Sequence, residues 1–477
     1  MGEPVFVPLW LFVALTAFAL WSLLDRLLIP SARWFLRRRL NRLIDRVNRR
    51  LDVEIKPFQL TKRQVLIDRL VYDPQVVAAA NEHARTQNLP REIAMAEVQR
   101  YAREIVPTFN AYIYFRIGYS LARAVAQLFY RVRLGFADPR TLAGVEPGTA
   151  VVFVMNHRSN MDYVLVGYLA SKRAALSYAV GEWARVWPLQ ALIRSMGAYF
   201  VRRNSNNPLY RRVLERYVWM ATSSGVTQAV YPEGGLTRDG RLRRPKLGLL
   251  DYILRAFDPR GERDLVFIPV GINYDRTLED RTLLLDLEPN RKKAGAGKAA
   301  LGALRFAGRN LWQMATGRWH RFGYACVNFG TPVSMRAYCA ERALDFRGME
   351  KDERFAAVEA LGTELMAAVG AVIPVVPVPL VATVFVRDAG AALSELDLKA
   401  RVHELIGELE AAGARVYIPR KDLDYGVVVG LRMLTLRHLV RQGEDGLYTA
   451  VPSELTVLRY YANSIAHLLP KPALVVA

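Results

Sequence analysis

Hydrophobic and polar positions divide the chain into three kinds of pattern. Residues 4–24 carry no charge at all, a run of 21 positions close to the roughly 20 that a helix needs to cross a bilayer core. Trp10 and Trp21 stand near its ends, where aromatic rings favour the membrane interface. Over 31–135 the pattern becomes helical: Leu36, Leu40, Leu43, Ile44, Val47 and Leu51 recur between arginines, at the spacing of one helix face. The apolar-aromatic stretch 110–134 reads as another helix. From about 149 the period changes again. Short apolar runs at 150–155, 176–180, 199–201, 226–231, 265–272 and 324–329 predict strands separated by segments long enough for crossover helices. Asn207-Pro208 opens one of these with a capping residue and a first-turn proline. Alternating strands and helices predict an α/β domain with a mainly parallel sheet flanked by helices.

Proline and glycine refine the boundaries. Turn signals at Asp138-Pro139 and Pro147-Gly148 place a boundary near 145. The apolar run 371–386 is interrupted by Pro374, Pro377 and Pro379 and is too short to span a membrane, and the remainder reads as helical. The expected organisation is a transmembrane anchor over 1–30, a helical region over 31–145, the α/β domain over 146–350 and a helical C-terminal region over 351–477. A Gly/Ala-rich stretch, 294–303, reads as a mobile loop without a nucleotide-binding glycine pattern.

Charge and composition narrow the partners. Of 477 residues, 52% are hydrophobic and 23% charged, which excludes a disordered chain. Two cysteines, Cys326 and Cys339, exclude a disulfide scaffold and a CxxC site, and suggest a reducing compartment. The net charge is +21, so an anionic partner is expected: nucleic acid, an anionic membrane surface or a phosphorylated substrate. Part of the excess follows the N-terminal apolar run directly, at Arg26, Arg33, Arg37, Arg38, Arg39, Arg42, Arg46, Arg49 and Arg50. That order fits a cleaved signal peptide poorly. It predicts an anchor with the rest of the chain on the cytoplasmic side, near anionic lipids. No recognised nucleic-acid module and no basic-aromatic interleaving is visible, so nucleic acid is not the expected partner.

Four segments carry candidate chemistry. The first is Asn156-His157-Arg158-Ser159-Asn160-Met161-Asp162, directly after a predicted strand. Five residues apart on one helix, His157 and Asp162 would diverge by about 140°. They meet only if His157 lies in the turn and Asp162 in the first helical turn. The carboxylate then fixes the imidazole tautomer, and the other ring nitrogen is free to take a proton from a substrate hydroxyl. The spacing alone is weak, since a capped helix beside a histidine would look the same. No GxSxG elbow supplies a protein nucleophile, which points to direct attack by a substrate alcohol on an activated acyl group. The second segment, Gly197-Ala198-Tyr199-Phe200-Val201-Arg202-Arg203, offers either a forked anion site or a solvated basic edge. The third is Tyr231-Pro232-Glu233-Gly234-Gly235-Leu236-Thr237-Arg238-Asp239-Gly240-Arg241, where glycines expose backbone N–H groups among arginines and Lys246. The fourth, Phe267-Ile268-Pro269-Val270-Gly271-Ile272, is an apolar strand with a proline, either a plain core strand or an acyl-chain wall.

In this order the four segments resemble the four blocks of the glycerophospholipid acyltransferases (NHxxxxD, GxxFxRR-like, EGxR-like and an apolar proline block), over about 145–335. The string HRSNMDY, the double glycine of EGG, and Asp239-Gly240-Arg241-Leu242 with Pro245-Lys246-Leu247-Gly248 are most similar to the membrane-bound glycerol-3-phosphate 1-O-acyltransferases. Residues 377–382 and 460–467 point the same way. The resemblance implies that His157 is the general base oriented by Asp162. It implies that Arg202, Arg203, Arg238 and Lys246 hold the phosphate of glycerol 3-phosphate, and that Glu233, Gly234, Gly235 and Thr237 shape the acceptor site. Gly197, Phe200 and Pro269 would serve the fold or the acyl chain. The donor would be an acyl thioester of coenzyme A or acyl carrier protein, with anionic lipids nearby and no cofactor or metal required. The family block usually reads EGGRSR. Here Leu236 replaces an arginine, which puts the acceptor in question and leaves lysophosphatidate and dihydroxyacetone phosphate as alternatives, with Arg241 as a candidate substitute. A non-catalytic basic membrane protein is the reading from another class, against which intact His157 and Asp162 speak.

Overall fold

The computed structural model describes residues 8–24, 54–138, 145–146, 148–170, 174–181, 189–202, 205–287, 308, 312 and 321–470. The chain forms two compact units, Met1–Glu54 and Ile55–Ala477. In the first, Pro8 precedes the helix Leu9–Leu23, whose side chains are all at least partly exposed. Its 15 residues rise about 22 Å at about 1.5 Å each, short of the roughly 30 Å hydrocarbon core. Among the described residues, no helix is long and apolar enough to cross a membrane, so the expected transmembrane span is not supported. The arginine run, the helix expected over 31–53 and the Gly/Ala stretch at 294–303 lie outside the described residues.

The second unit is built on one eight-stranded sheet. Its strands are β1 (Arg131–Ala137), β2 (Ala150–Met155), β3 (Ser177–Val180), β4 (Tyr199–Phe200), β5 (Gln228–Val230), β6 (Leu265–Tyr274), β7 (Tyr324–Phe329) and β8 (Val333–Ser334). The order is β1-β7-β6-β2-β5-β3-β4, with β8 on β6. Pairing is parallel except where β6 meets β7 and β8. Every residue of β2 and β6 is buried, which is why both read as continuous apolar runs. β1 corrects the expectation of a helix through 134. Arg131 and Arg133 alternate with Val132 and Leu134, and this period of two belongs to a partly exposed edge strand on β7.

Helices cover the sheet. Arg63–Val71, Pro74–Thr86, Arg91–Ile105, Pro208–Ser223 and Lys351–Ala371 share one core with β2, β5 and β6. The Asn207 side chain caps Pro208–Ser223 by accepting from the Tyr210 N–H at 3.0 Å. A second core unites the helices Pro377–Arg387, Glu395–Ala411, Leu423–Leu436 and Leu455–Ala462. The prolines at 377 and 379 therefore open a buried helix. Cys326 and Cys339 are both buried and free.

Candidate active site

β6, β2 and β5 lie side by side, and β2 runs parallel to both neighbours. Their carboxyl ends therefore open at one place, the usual position for a ligand in such a sheet. β2 ends into the turn 156–160, β5 into 231–240, and β6 at Tyr274.

His157 sits in the turn and Asp162 in the first turn of the helix Met161–Ala170, the arrangement their spacing requires. Nδ1 of His157 lies 2.8 Å from Asp162 Oδ2. The same oxygen accepts the Arg158 and Ser159 N–H groups at 2.8 and 3.1 Å. Oδ1 accepts the Tyr274 hydroxyl at 2.5 Å. A carboxylate surrounded by donors leaves Nδ1 to carry the ring proton. Nε2 then presents a lone pair, and it has no hydrogen-bond partner. The side chain is 2% exposed, with Tyr231 across one face at a centroid distance of 4.2 Å and Tyr163 edge-on at 5.4 Å.

The turn is fastened from both sides. Asn156 exchanges hydrogen bonds with the Ile272 backbone at 2.9 and 2.8 Å. Glu279 accepts from Ser159 Oγ at 2.7 Å and from the Asn160 backbone and side chain at 3.2 and 3.1 Å. Burial holds the Glu279 carboxyl above the ordinary range. Glu233 Oε1 accepts the His157 N–H at 2.8 Å, and Oε2 accepts the Arg243 N–H at 3.2 Å. Burial pushes Glu233 up to about 7 although both backbone bonds oppose the shift. The Thr237 N–H donates to the His157 carbonyl at 2.9 Å, and its hydroxyl donates to the Arg241 carbonyl at 2.7 Å. Glu233 and Thr237, expected to shape an acceptor site, here bracket the histidine backbone.

A cleft of about 840 Å³ lies beside this centre. Arg202, Gly234 and Lys246 line it together with Tyr231, the residue stacked on the imidazole. Gly234 has φ +68°, and a Cβ there would come within 2.5 Å of the Lys246 side chain. The basic residues Arg211, Arg212, Arg255, Lys351 and Arg354 also line the cleft, against the acids Glu215 and Asp251. Those two carboxylates hold Arg212, Arg255 and Arg354, so the wall keeps a net positive charge. A larger groove of about 1090 Å³ lies between Lys351–Ala371, Glu395–Ala411 and residues 467–470. His157 lines neither space, but Tyr231, stacked on its ring, is in the wall of the cleft and absent from the groove, so the cleft is the better candidate.

The other predicted residues divide. Arg202 lines the cleft, and in this structure its guanidinium forks onto Glu104 at 2.9 and 2.7 Å and stacks on Tyr101 and Tyr210. Arg203 lies outside the described residues. Arg238 is exposed and Gly235 half-buried, and neither lines the cleft. Gly197, at φ +88°, closes the turn into β4, where a Cβ would meet Phe109 at 3.0 Å. Phe200 is fully buried. Pro269 pairs with Val154 in the sheet centre and accepts the Gly330 N–H through its carbonyl at 2.8 Å. Leu236, the departure from the family block, packs against the C-terminal core, and Arg241 is exposed. Sequence reasoning missed Tyr274 and Glu279, and gave Tyr231, the first residue of the third segment, no role of its own. Tyr274 ends the strand predicted to stop at 272, and one further period of alternation was its only signal.

Comparison with known proteins agrees with this anatomy. Residues 140–273 match the family described as Acyltransferase, and residues 310–477 the Glycerol-3-phosphate acyltransferase C-terminal region. A protein named glycerol-3-phosphate acyltransferase from Pseudomonas putida (strain KT2440) is 28% identical over 430 residues, covering 87% of this chain and 50% of that protein. One of the same name from Xanthomonas axonopodis pv. citri is 26% identical over 443 residues, covering 90% and 48%. The chain thus spans about half the length of the curated relatives it matches. The crystal structure of the 1-acyl-sn-glycerophosphate acyltransferase from Thermotoga maritima is 18% identical and covers 53% of this chain and 78% of that one, with a TM-score of 0.31, a likeness on which nothing below rests. The resemblance carried by the four blocks is borne out.

Proposed function

We propose that this chain, which matches the Acyltransferase family over 140–273 and the Glycerol-3-phosphate acyltransferase C-terminal region over 310–477, moves an acyl group from a thioester to the sn-1 hydroxyl of glycerol 3-phosphate. The observation that carries the reading is the His157–Asp162 pair, with Nε2 unpartnered and the stacked Tyr231 in the wall of a basic cleft. In the reaction, Nε2 removes the proton of the acceptor hydroxyl as its oxygen attacks the thioester carbonyl. The tetrahedral intermediate collapses, the carbon–sulfur bond breaks, and the imidazolium returns the proton to the leaving thiolate. Asp162 holds the Nδ1–H throughout, and Tyr274 holds Asp162. No acyl-enzyme forms, which accords with the lack of a GxSxG nucleophile. The positive cleft wall suits the acceptor phosphate and an anionic donor, either acyl coenzyme A or acyl carrier protein. Leu236 packs away into the C-terminal core, so phosphate recognition falls to other cations, of which Lys246 lines the cleft.

The same reading places the protein at a bilayer surface on the cytoplasmic side. The apolar, exposed helix Leu9–Leu23 suits interfacial attachment near anionic lipids, and flotation with anionic vesicles tests it. The reaction is tested by offering acyl coenzyme A and acyl carrier protein with glycerol 3-phosphate, dihydroxyacetone phosphate and lysophosphatidate in parallel. Lysophosphatidate formed from glycerol 3-phosphate, and lost in His157→Ala, is the expected result. Transfer to lysophosphatidate alone would overturn the acceptor, and no transfer with either donor would overturn the reaction.

A further inference from the structure

Arg158, next to the catalytic histidine, is a charged residue that the reaction above does not use. It is 2% exposed. Its Nη1 donates to the Gly240 carbonyl at 2.8 Å, and its guanidinium lies 5.0 Å from the centre of the Tyr460 ring. Nε and Nη2 are buried without a partner. For stability alone this is a poor arrangement. A buried cation with unfilled donors is costly. What Arg158 does achieve is a join between three segments far apart in sequence.

The 237–240 loop touches the C-terminal region at two further points. Asn463 Nδ2 donates to the Asp239 carbonyl at 2.8 Å. Gly240, at φ +87°, lies so close to the Tyr460 backbone that a Cβ would fall 2.0 Å from its carbonyl oxygen. The loop's other side reaches the catalytic turn through the Thr237 N–H and the His157 carbonyl, 2.9 Å apart. A displacement of residues 460–463 therefore passes through one loop to the backbone of the base.

We propose that Arg158, Tyr460 and Asn463 form a clamp by which the C-terminal region sets the position of His157, Arg158 and Asn463 being positioning residues for acyl transfer. The proposal rests on the acyl-transfer reading for its kinetic consequence. Its structural consequence, a tight 237–240 loop, stands apart from that reading.

The test uses the full chain in detergent, with Arg158→Met, Arg158→Lys and Asn463→Ala. Kinetics with both substrates, thermal midpoints and amide hydrogen exchange are read together. A displaced reacting group can cost about 100-fold in rate, so Arg158→Met is expected to lower kcat roughly 10- to 100-fold. KM should stay within about threefold, and the midpoint should fall only modestly, since the variant removes a costly buried charge but leaves the Gly240 carbonyl without its donor. Arg158→Lys should recover part of kcat, and Asn463→Ala should lose less than Arg158→Met. Exchange at the Thr237 amide should quicken in both truncations. A kcat retained within about twofold in Arg158→Met, a loss of kcat accompanied by a matching fall in midpoint, or unchanged exchange at Thr237 would each overturn the clamp. If the wild-type chain transfers to no acceptor, the acyl-transfer reading fails, and the exchange result alone decides whether the clamp exists.

Discussion

Around His157, the polar groups of residues 156–162 are tied to one another and to Glu233, Tyr274 and Glu279 by hydrogen bonds of 2.5–3.2 Å. The cleft beside it is lined by long cationic side chains, of which Lys246 and Lys351 are exposed. One region is dry and over-determined, and the other wet and adjustable. The difference follows from the two tasks. A base must be held to a few tenths of an ångström where water cannot compete for its lone pair. An anion can be gathered by charges that move, at the cost of sensitivity to salt.

That contrast can be broken most directly at the base. General base catalysis contributes about 10²- to 10⁴-fold, and His157→Ala should lose activity on that scale without a large change in KM, as steady-state rates will show. Next comes Tyr274→Phe, which removes the hydrogen bond to Asp162 Oδ1. Bonds to charged groups are worth about 1.5–3 kcal/mol, so kcat should fall roughly ten- to a hundredfold. A normal kcat would mean that three donors suffice to hold the carboxylate. In the cleft the effects should be smaller and of another kind. Lys246→Ala should raise KM for the anionic substrates by about three- to tenfold with kcat nearly unchanged, and the difference should shrink as salt is raised. Loss of kcat instead would move Lys246 into the reaction centre.

The smallest effect concerns stability against pH. Burial raises Glu233 to about 7 from its ordinary value of 4.5, so the folded protein binds a proton that the unfolded chain releases. Its contribution is fully present below about 4.5, is lost as pH rises towards 7, and is flat above. Asp275, also raised to about 7 by burial, adds a slope of the same sign. Between pH 5 and 8 these two carboxyls should therefore draw thermal midpoints down as pH rises, against an opposite slope from His467, which burial holds below its ordinary value. In Glu233→Gln that downward draw should be less steep, with the Asp275 part remaining. Equal slopes in the two proteins would place the Glu233 carboxyl at an ordinary value.

How far the site was legible depends on the range of its contacts. His157 and Asp162 are five residues apart and share a turn, so local geometry sufficed to foresee their meeting. The strand at 150–155 and the cap at Asn207 were legible for the same reason. The ion pair of Arg202 was not legible because its partner, Glu104, is 98 residues away, on a helix expected to belong to another region. β1 misled because its short alternation continues a helical period without a turn residue between them. The span expected over 4–24 rested on a count of uncharged residues, and the helix itself holds 15.

The chain's local patterns by themselves gave the mainly parallel α/β sheet, the condition under which His157 and Asp162 could meet, and the likeness carried by four ordered blocks. Each depends on neighbours within about one helical turn or on the two-residue period of a strand. Tertiary structure alone decided that Tyr274, 112 residues from Asp162, completes its coordination. It also decided that Leu236 belongs to the C-terminal core and that residues 460–463 reach the catalytic turn. These contacts close loops of a hundred residues or more, and what selects them is the burial of whole faces against one another, which no local period records.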